Sequence, residues 1–213
     1  MANNRSVLTM ILVGLAILLF VLTMLTRHLV LLCIFSLYIG VLLFVRWSLR
    51  DPERTIPRGS GLILSAADGR VCSLERVNEH LFLGGNGIAV GVYLSLLDVH
   101  INRNSASGVV AFLSHKPGKF LPAFRKKSSE YNEQQIIGIE SDRGRILIKQ
   151  IAGSFARRIV CRLCLGDIVQ AGERFGMITF GSRVEHFLPV DTEIKVKIGD
   201  RVRAGESIIG VLS

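Results

Sequence analysis

Gly181-Ser182 has the residue types for chemistry on its own backbone. Glycine leaves its carbonyl carbon unshielded, and the next residue's hydroxyl lies one short step away. Where the chain is bent so that Ser182 Oγ reaches the Gly181 carbonyl, the amide can become an ester by acyl shift. β-Elimination opens that ester. The new N-terminal residue then loses its amine as ammonia and becomes a pyruvoyl group, a protein-made ketone able to bind amines. Two other Gly-Ser pairs, Gly59-Ser60 and Gly153-Ser154, read as ordinary loop residues. The third differs in its setting. A strand-like run, 177–180, precedes it and another, 184–188, follows, so its backbone can be held under strain.

Three further segments carry groups that could act there. Ser65-Ala-Ala-Asp-Gly-Arg-Val71 puts the Asp68 carboxylate on a tight turn. Leu94-Ser-Leu-Leu-Asp-Val-His-Ile-Asn-Arg103 puts Asp98 and His100 on one face of an extended segment. Gln150-Ile-Ala-Gly-Ser-Phe-Ala-Arg-Arg-Ile159 carries the paired arginines Arg157 and Arg158. Cys161-Arg-Leu-Cys164 has the spacing of half a zinc site, but no second pair completes it. Both cysteines lie in a strand-forming run and read as buried thiols, and no metal site is expected. Outside the apolar N-terminal runs the cysteine count is odd, which agrees with a reducing compartment.

The elements that position these groups begin with an anchor. Residues 7–26 and 29–45 carry no charge. As helices they would be roughly 30 Å and 26 Å long, each close to one bilayer core. No small-residue cleavage site follows, so residues 1–45 read as a permanent membrane anchor and not a signal peptide. Only Arg27-His28 separates the runs, which leaves open a helical hairpin or a re-entrant wedge. An even number of passes returns the chain to its starting side. Arg46, Arg50, Arg54 and Arg58 then put the rest of the chain on the cytoplasmic side of the cell membrane. Beyond the anchor, 24 basic against 17 acidic residues leave +7 of the whole chain's +9, a surface suited to anionic lipid. The basic residues are dispersed and not interleaved with aromatics, so nucleic acid is not an expected partner. The one dense cluster, Phe124-Arg-Lys-Lys127, reads equally as a solvated loop and as a phosphate-facing one.

Residues 46–58, with Pro52 and Pro57, form a connector. From 59 to 213, short apolar runs alternate with Gly, Pro, Asn and Asp turn signals, and no long stretch of helical period occurs. The soluble domain is therefore expected to be mainly β, with a short helix suiting 153–158. Gly166-Asp-Ile-Val-Gln-Ala-Gly-Glu173 returns 33 residues later as Gly199-Asp-Arg-Val-Arg-Ala-Gly-Glu206. Each copy reads turn, short strand, glycine turn, strand. Biotinyl and lipoyl carrier domains use this device in a barrel-sandwich hybrid. Neither copy carries a modifiable Met-Lys-Met-like turn, so the repeat speaks for fold and not for function.

With Arg50-Asp-Pro-Glu-Arg54, Lys116-Pro-Gly-Lys-Phe-Leu-Pro-Ala-Phe124 and Phe180-Gly-Ser-Arg183 in order among these segments, the chain from about Arg50 onward resembles the phosphatidylserine decarboxylase proenzymes in their compact, archaeal-type form. The resemblance implies self-cleavage at Gly181-Ser182. The products would be a membrane-bound chain 1–181 and a small pyruvoyl-capped chain 182–213, associated as a heterodimer. It implies an anionic aminophospholipid substrate, phosphatidylserine or an archaetidylserine-like lipid. The substrate amine would condense with the ketone, lose CO2 and leave as phosphatidylethanolamine.

His100, in Asp-Val-His, is then the expected proton donor. Longer relatives carry a second histidine three positions on, where this chain has Arg103. Two arrangements stay open for self-cleavage: His100 with Asp68 as its orienter, or Asp68 without a histidine. Arg103 becomes a candidate for the lipid phosphate or the substrate carboxylate, with Arg157 and Arg158 behind it. The alternative is a non-catalytic, membrane-tethered hybrid-barrel adaptor. It would rest on the anchor and the repeat and have no use for the Gly-Ser bond.

Overall fold

The computed structural model describes residues 2–26, 29–123, 127–154, 158–178 and 181–213. Residues 1–48 and 49–213 form separate compact units. In the first, α1 (Ala2–Thr26) packs along α2 (Leu29–Ser48). The Tyr38 hydroxyl donates to the Leu12 carbonyl at 2.7 Å, and the Phe20 and Phe35 rings lie 5.7 Å apart. α2 is long and apolar enough to cross a membrane, with a mean hydropathy of 2.5, and α1 carries a shorter apolar stretch, Met10–Leu25. The expected turn at Arg27-His28 lies outside the described residues.

The second unit is mainly β, as the turn-punctuated pattern requires, and its described strands fall into two matching sets of seven. Numbered along the chain, one set is β1 (Leu62–Leu64), β2 (Gly69–Glu79), β3 (Gly85–Leu94), β11 (Ser182–Pro189), β12 (Glu193–Ile194), β13 (Arg201–Val202) and β14 (Ile208–Val211). The other is β4 (Ile101–Arg103), β5 (Gly108–Lys116), β6 (Gln134–Ser141), β7 (Gly144–Ile151), β8 (Ile159–Cys161), β9 (Ile168–Val169) and β10 (Arg174–Ile178). The second set is inserted whole between β3 and β11 of the first.

Registers match between the sets. Gly69 pairs with Val202 and Arg70 with Arg201; in the inserted half Gly108 pairs with Val169 and Val109 with Ile168. Both β2 and β5 break register just beyond, at 71/73 and at 110/112. The loops match as well. Val71 N–H donates to the Asp200 carbonyl at 2.9 Å, and Val110 N–H to Asp167 at 2.9 Å. Gly205 N–H donates to Ser65 at 2.9 Å, and Gly172 N–H to Asn104 at 2.8 Å. The 33-residue repeat is thus one arm of a larger duplication whose other arm relates 61–71 to 100–110.

The halves join in an eight-stranded sheet of order β13-β2-β3-β11-β7-β6-β5-β9, with β11 and β7 at the seam. Val90, Val92 and Val184 from one half, with Ile137, Ile139, Ile146 and Ile148 from the other, fill the main core. A smaller cluster of Ile136, Leu147 and Phe187 covers part of the other face.

Three expectations change. The segment 94–103 is not extended throughout. β3 ends at Leu94, and the Asp98 carboxylate turns back to accept from Ser95 N–H (2.9 Å) and Ser95 Oγ (2.6 Å), closing a turn. A short helix α3 (Ser128–Tyr131) was not foreseen from the sequence. Cys164 is exposed and Cys161 only half-buried: β8 is a three-residue strand, Ile159–Cys161, that packs against the core at Cys161, and Cys164 lies beyond its end. The short helix suited to 153–158 and the Phe124-Arg-Lys cluster fall largely outside the described residues.

Candidate active site

Gly181 sits at φ +67°, in the left-handed region that costs residues with a Cβ about 1–2 kcal/mol. Ser182, the first residue of β11, is fully buried opposite Leu94, and its Oγ has no hydrogen-bond partner among the described residues. Leaving a buried hydroxyl unpaired costs about 1–3 kcal/mol, which a purely structural serine would be expected to avoid. Thr179 and Phe180 lie outside the described residues.

His100 is fully buried just ahead of β4, and its carbonyl accepts the Ile178 N–H at 3.2 Å. The crossover 95–100 leaves β3 beside Ser182 and ends at His100 beside Ile178, so it borders one space with those two residues at its ends. The duplication places Asp68 there too. At the matching place, where the inserted half meets the first, a cavity of about 170 Å³ is lined by Gly61, Ser107, Ser141, Asp142, Arg143, Ala171 and Leu212, among others. The matched registers and loops make these the counterparts of His100, Asp68, Leu94, Ser95, Gly181, Ala204 and Ile178. The Leu94–Ser182 pair at the end of the β3–β11 ladder corresponds to Ser141–Gly144 at the end of β6–β7. Gly181-Ser182 therefore occupies the place of Arg143-Gly144 in the tight hairpin of the twin.

Asp68 is held firmly. Arg54 Nη2 donates to both its oxygens at 2.9 and 2.8 Å, and Ala204 N–H adds a third bond at 2.8 Å. Its turn is tied to β4: Arg103 N–H (3.0 Å) and Asn102 Nδ2 (3.2 Å) both donate to the Ala66 carbonyl, and Gln150 Nε2 donates to Asn102 Oδ1 at 2.8 Å. His186, which no motif singled out, completes this support. Its Nε2 accepts the Ala66 N–H at 2.9 Å, and Nδ1 faces the Val90 carbonyl at 3.3 Å. Burial lowers its pKa to about 4, so it stays neutral with the proton on Nδ1. The signal for it was positional. Strand alternation puts His186 on the same face as Ser182 and Val184, toward the core.

The expected arginines are placed differently from one another. Arg103 is 6% exposed, and its guanidinium donates to the Gly172 carbonyl (3.0 Å), to Asp51 (3.0 Å) and to the Pro52 carbonyl (3.1 Å). It fastens the connector next to His100. Arg158 is exposed at the start of β8, and Arg157 lies outside the described residues. Asp98 accepts from Ser95 and, at 3.1 Å, from Arg201.

The family model for phosphatidylserine decarboxylase matches residues 41–210, which takes in the end of α2, the connector and both halves. The chain belongs to the phosphatidylserine decarboxylase family. It is similar to the phosphatidylserine decarboxylase proenzyme of Symbiobacterium thermophilum, with 48% identity over 174 residues covering 81% of each chain. The same-named proteins of Chlorobium phaeovibrioides (45% identity over 172 residues, 81% of this chain and 78% of that one) and Wolbachia pipientis (47% over 170 residues, 77% and 74%) are also similar. Family membership thus extends over both the duplicated body and the connector that grips Asp68 and Arg103.

Proposed function

We propose that this chain is a pyruvoyl-dependent phosphatidylserine decarboxylase that makes its own prosthetic group by scission at Gly181-Ser182. The observation that carries the reading is a buried Ser182 hydroxyl, without a partner among the described residues, directly after a glycine at φ +67°. In the first step Ser182 Oγ attacks the Gly181 carbonyl while the Ser182 nitrogen leaves with a proton. Removal of the Ser182 α-proton then expels the Gly181 carboxylate, and water releases the nitrogen as ammonia. Asp68, fixed by three hydrogen bonds, and His100 are the groups this reading assigns to the proton transfers.

The surroundings fit such a group. Ser182 is paired with Leu94 of β3 and fully buried, away from solvent. The ketone, once formed, supplies an electron sink for loss of CO2 from an amine-bearing substrate. His100, fully buried at the end of the crossover from β3, would on this reading supply the proton for the carbon that CO2 leaves. The 182–213 chain stays bound through β11, paired with β3 along its whole length and with β7 from Arg183 to Phe187. The partners of this reading are an anionic aminophospholipid and a membrane, with the catalytic unit on the cytoplasmic side. The apolar α2 and the basic connector support it. The connector also occupies Arg103, which favours a positioning role over lipid contact. Purified protein should release CO2 from phosphatidylserine and lose that activity on treatment with a carbonyl reagent such as hydroxylamine. Full activity after such treatment would rule out the ketone.

A further inference from the structure

We infer that Arg54 is a positioning residue for self-scission, aiming the Asp68 carboxylate and tying it to the chain segment beyond the cut. The inference rests on the role proposed above for Asp68. Arg54 lies in the connector, outside the duplicated strands, yet its side chain is only 6% exposed. It grips both Asp68 oxygens with one nitrogen, and its other terminal nitrogen donates to Glu206 at 3.3 Å. Thr55 N–H adds a bond to Glu206 at 3.1 Å. Glu206 belongs to 182–213, so the clamp spans the scissile bond.

The twin turn is an internal control for what Arg54 does. Turn 104–110 has the same backbone hydrogen bonds as 65–71, and Ser107 takes the Ala171 N–H at 3.0 Å as Asp68 takes that of Ala204. No guanidinium reaches Ser107 among the described residues. Glu173, the counterpart of Glu206, accepts from Gln170 N–H instead. The turn therefore folds without an arginine, and the arginine accompanies the carboxylate. A donor nitrogen set between both oxygens, on a guanidinium whose other end is held by Glu206, limits rotation of the carboxylate plane, which a lone N–H to one oxygen does not. A carboxylate turned out of that plane would misdirect the lone pair needed for proton transfer near Ser182.

The test uses full-length precursor carrying Arg54→Ala, Arg54→Lys or Asp68→Asn, with conversion to two fragments followed by gel and by mass. Arg54→Ala should convert at least about tenfold more slowly, a barrier rise of about 1.4 kcal/mol. Methylguanidinium chloride should speed that variant more than sodium chloride of equal ionic strength, and Arg54→Lys should fall between it and wild type. A purely structural role predicts no rescue by the small cation. Conversion of Arg54→Ala at the wild-type rate would overturn the inference. So would a folded, slow Arg54→Ala that methylguanidinium leaves unchanged. If Arg54→Ala fails to fold, Arg54→Lys decides: wild-type conversion overturns the inference, and slower conversion supports it. Asp68→Asn separates the two claims. Normal conversion there removes Asp68 and Arg54 together, whereas arrest there with normal Arg54→Ala removes Arg54 alone.

Discussion

Around turn 65–71 and its twin 104–110 the backbone makes the same bonds, and the same strands run from each. The residues at the two matching places nevertheless diverge. One side has Asp68, His100 and Gly181-Ser182; the other has Ser107, Gly61 and Arg143-Gly144. Asp142-Arg143 closes a tight hairpin between β6 and β7. At the matching place the hairpin is opened to admit an entire second half, and its return leg carries Gly181-Ser182, the bond proposed to break. A cut there would leave β11 held by the ladders on both its sides. On the proposed reading the duplication supplies the scaffold, and the chemistry occupies its opened hairpin.

The comparison can be broken most severely at Ser182. Ser182→Ala should remain one chain and release no CO2, as the twin's Gly144 would, and two fragments from that variant would disprove the assignment. His100→Gly installs the twin's residue. It should lower CO2 release by about 10²–10⁴-fold, the usual share of a positioned acid or base, as measured on material that has been cut. Asp68→Ser copies Ser107 and keeps an acceptor for Ala204 N–H. It should fold with a melting temperature near wild type yet slow scission by about tenfold or more, a barrier rise of about 1.4 kcal/mol.

The smallest effect is on stability. His186 corresponds to Ile148 in the twin. The folded protein resists protonating His186 until about pH 4, while the unfolded chain accepts a proton near 6.5. The unfolded state binds more protons in that window, so stability should fall by up to about 3 kcal/mol as pH drops from 6.5 to 4. Denaturant titrations of His186→Ile should show that dependence flattened.

Much of this was legible in the residues. Apolar runs and turn signals located most of the strands, and the Gly-Asp repeat displayed one arm of the duplication. The other arm was faint because only Ala67/Ala106, Gly69/Gly108 and Val71/Val110 are shared. Those glycines recur for one physical reason. A Cβ would lie 2.1 Å from the Tyr93 carbonyl oxygen in one half and 2.2 Å from that of Glu140 in the other. Gly181, Ser182, His100 and Asp68 could be proposed from local context. The roles of Arg54 and His186 could not: nothing in a connector shows that Arg54 bridges Asp68, 14 residues on, to Glu206, 152 residues on, and alternation turns His186 inward without showing that it meets Ala66, 120 residues away. The connector's charges read as topology signals, yet Asp51 and Arg54 are folded onto the body through Arg103 and Asp68.

Intact mass of the purified wild-type protein tests the central claim most directly. Two chains are expected, 1–181 and 182–213, with the smaller lighter by one ammonia than a chain beginning with serine. A single unbroken chain that still releases CO2 from phosphatidylserine would contradict the account.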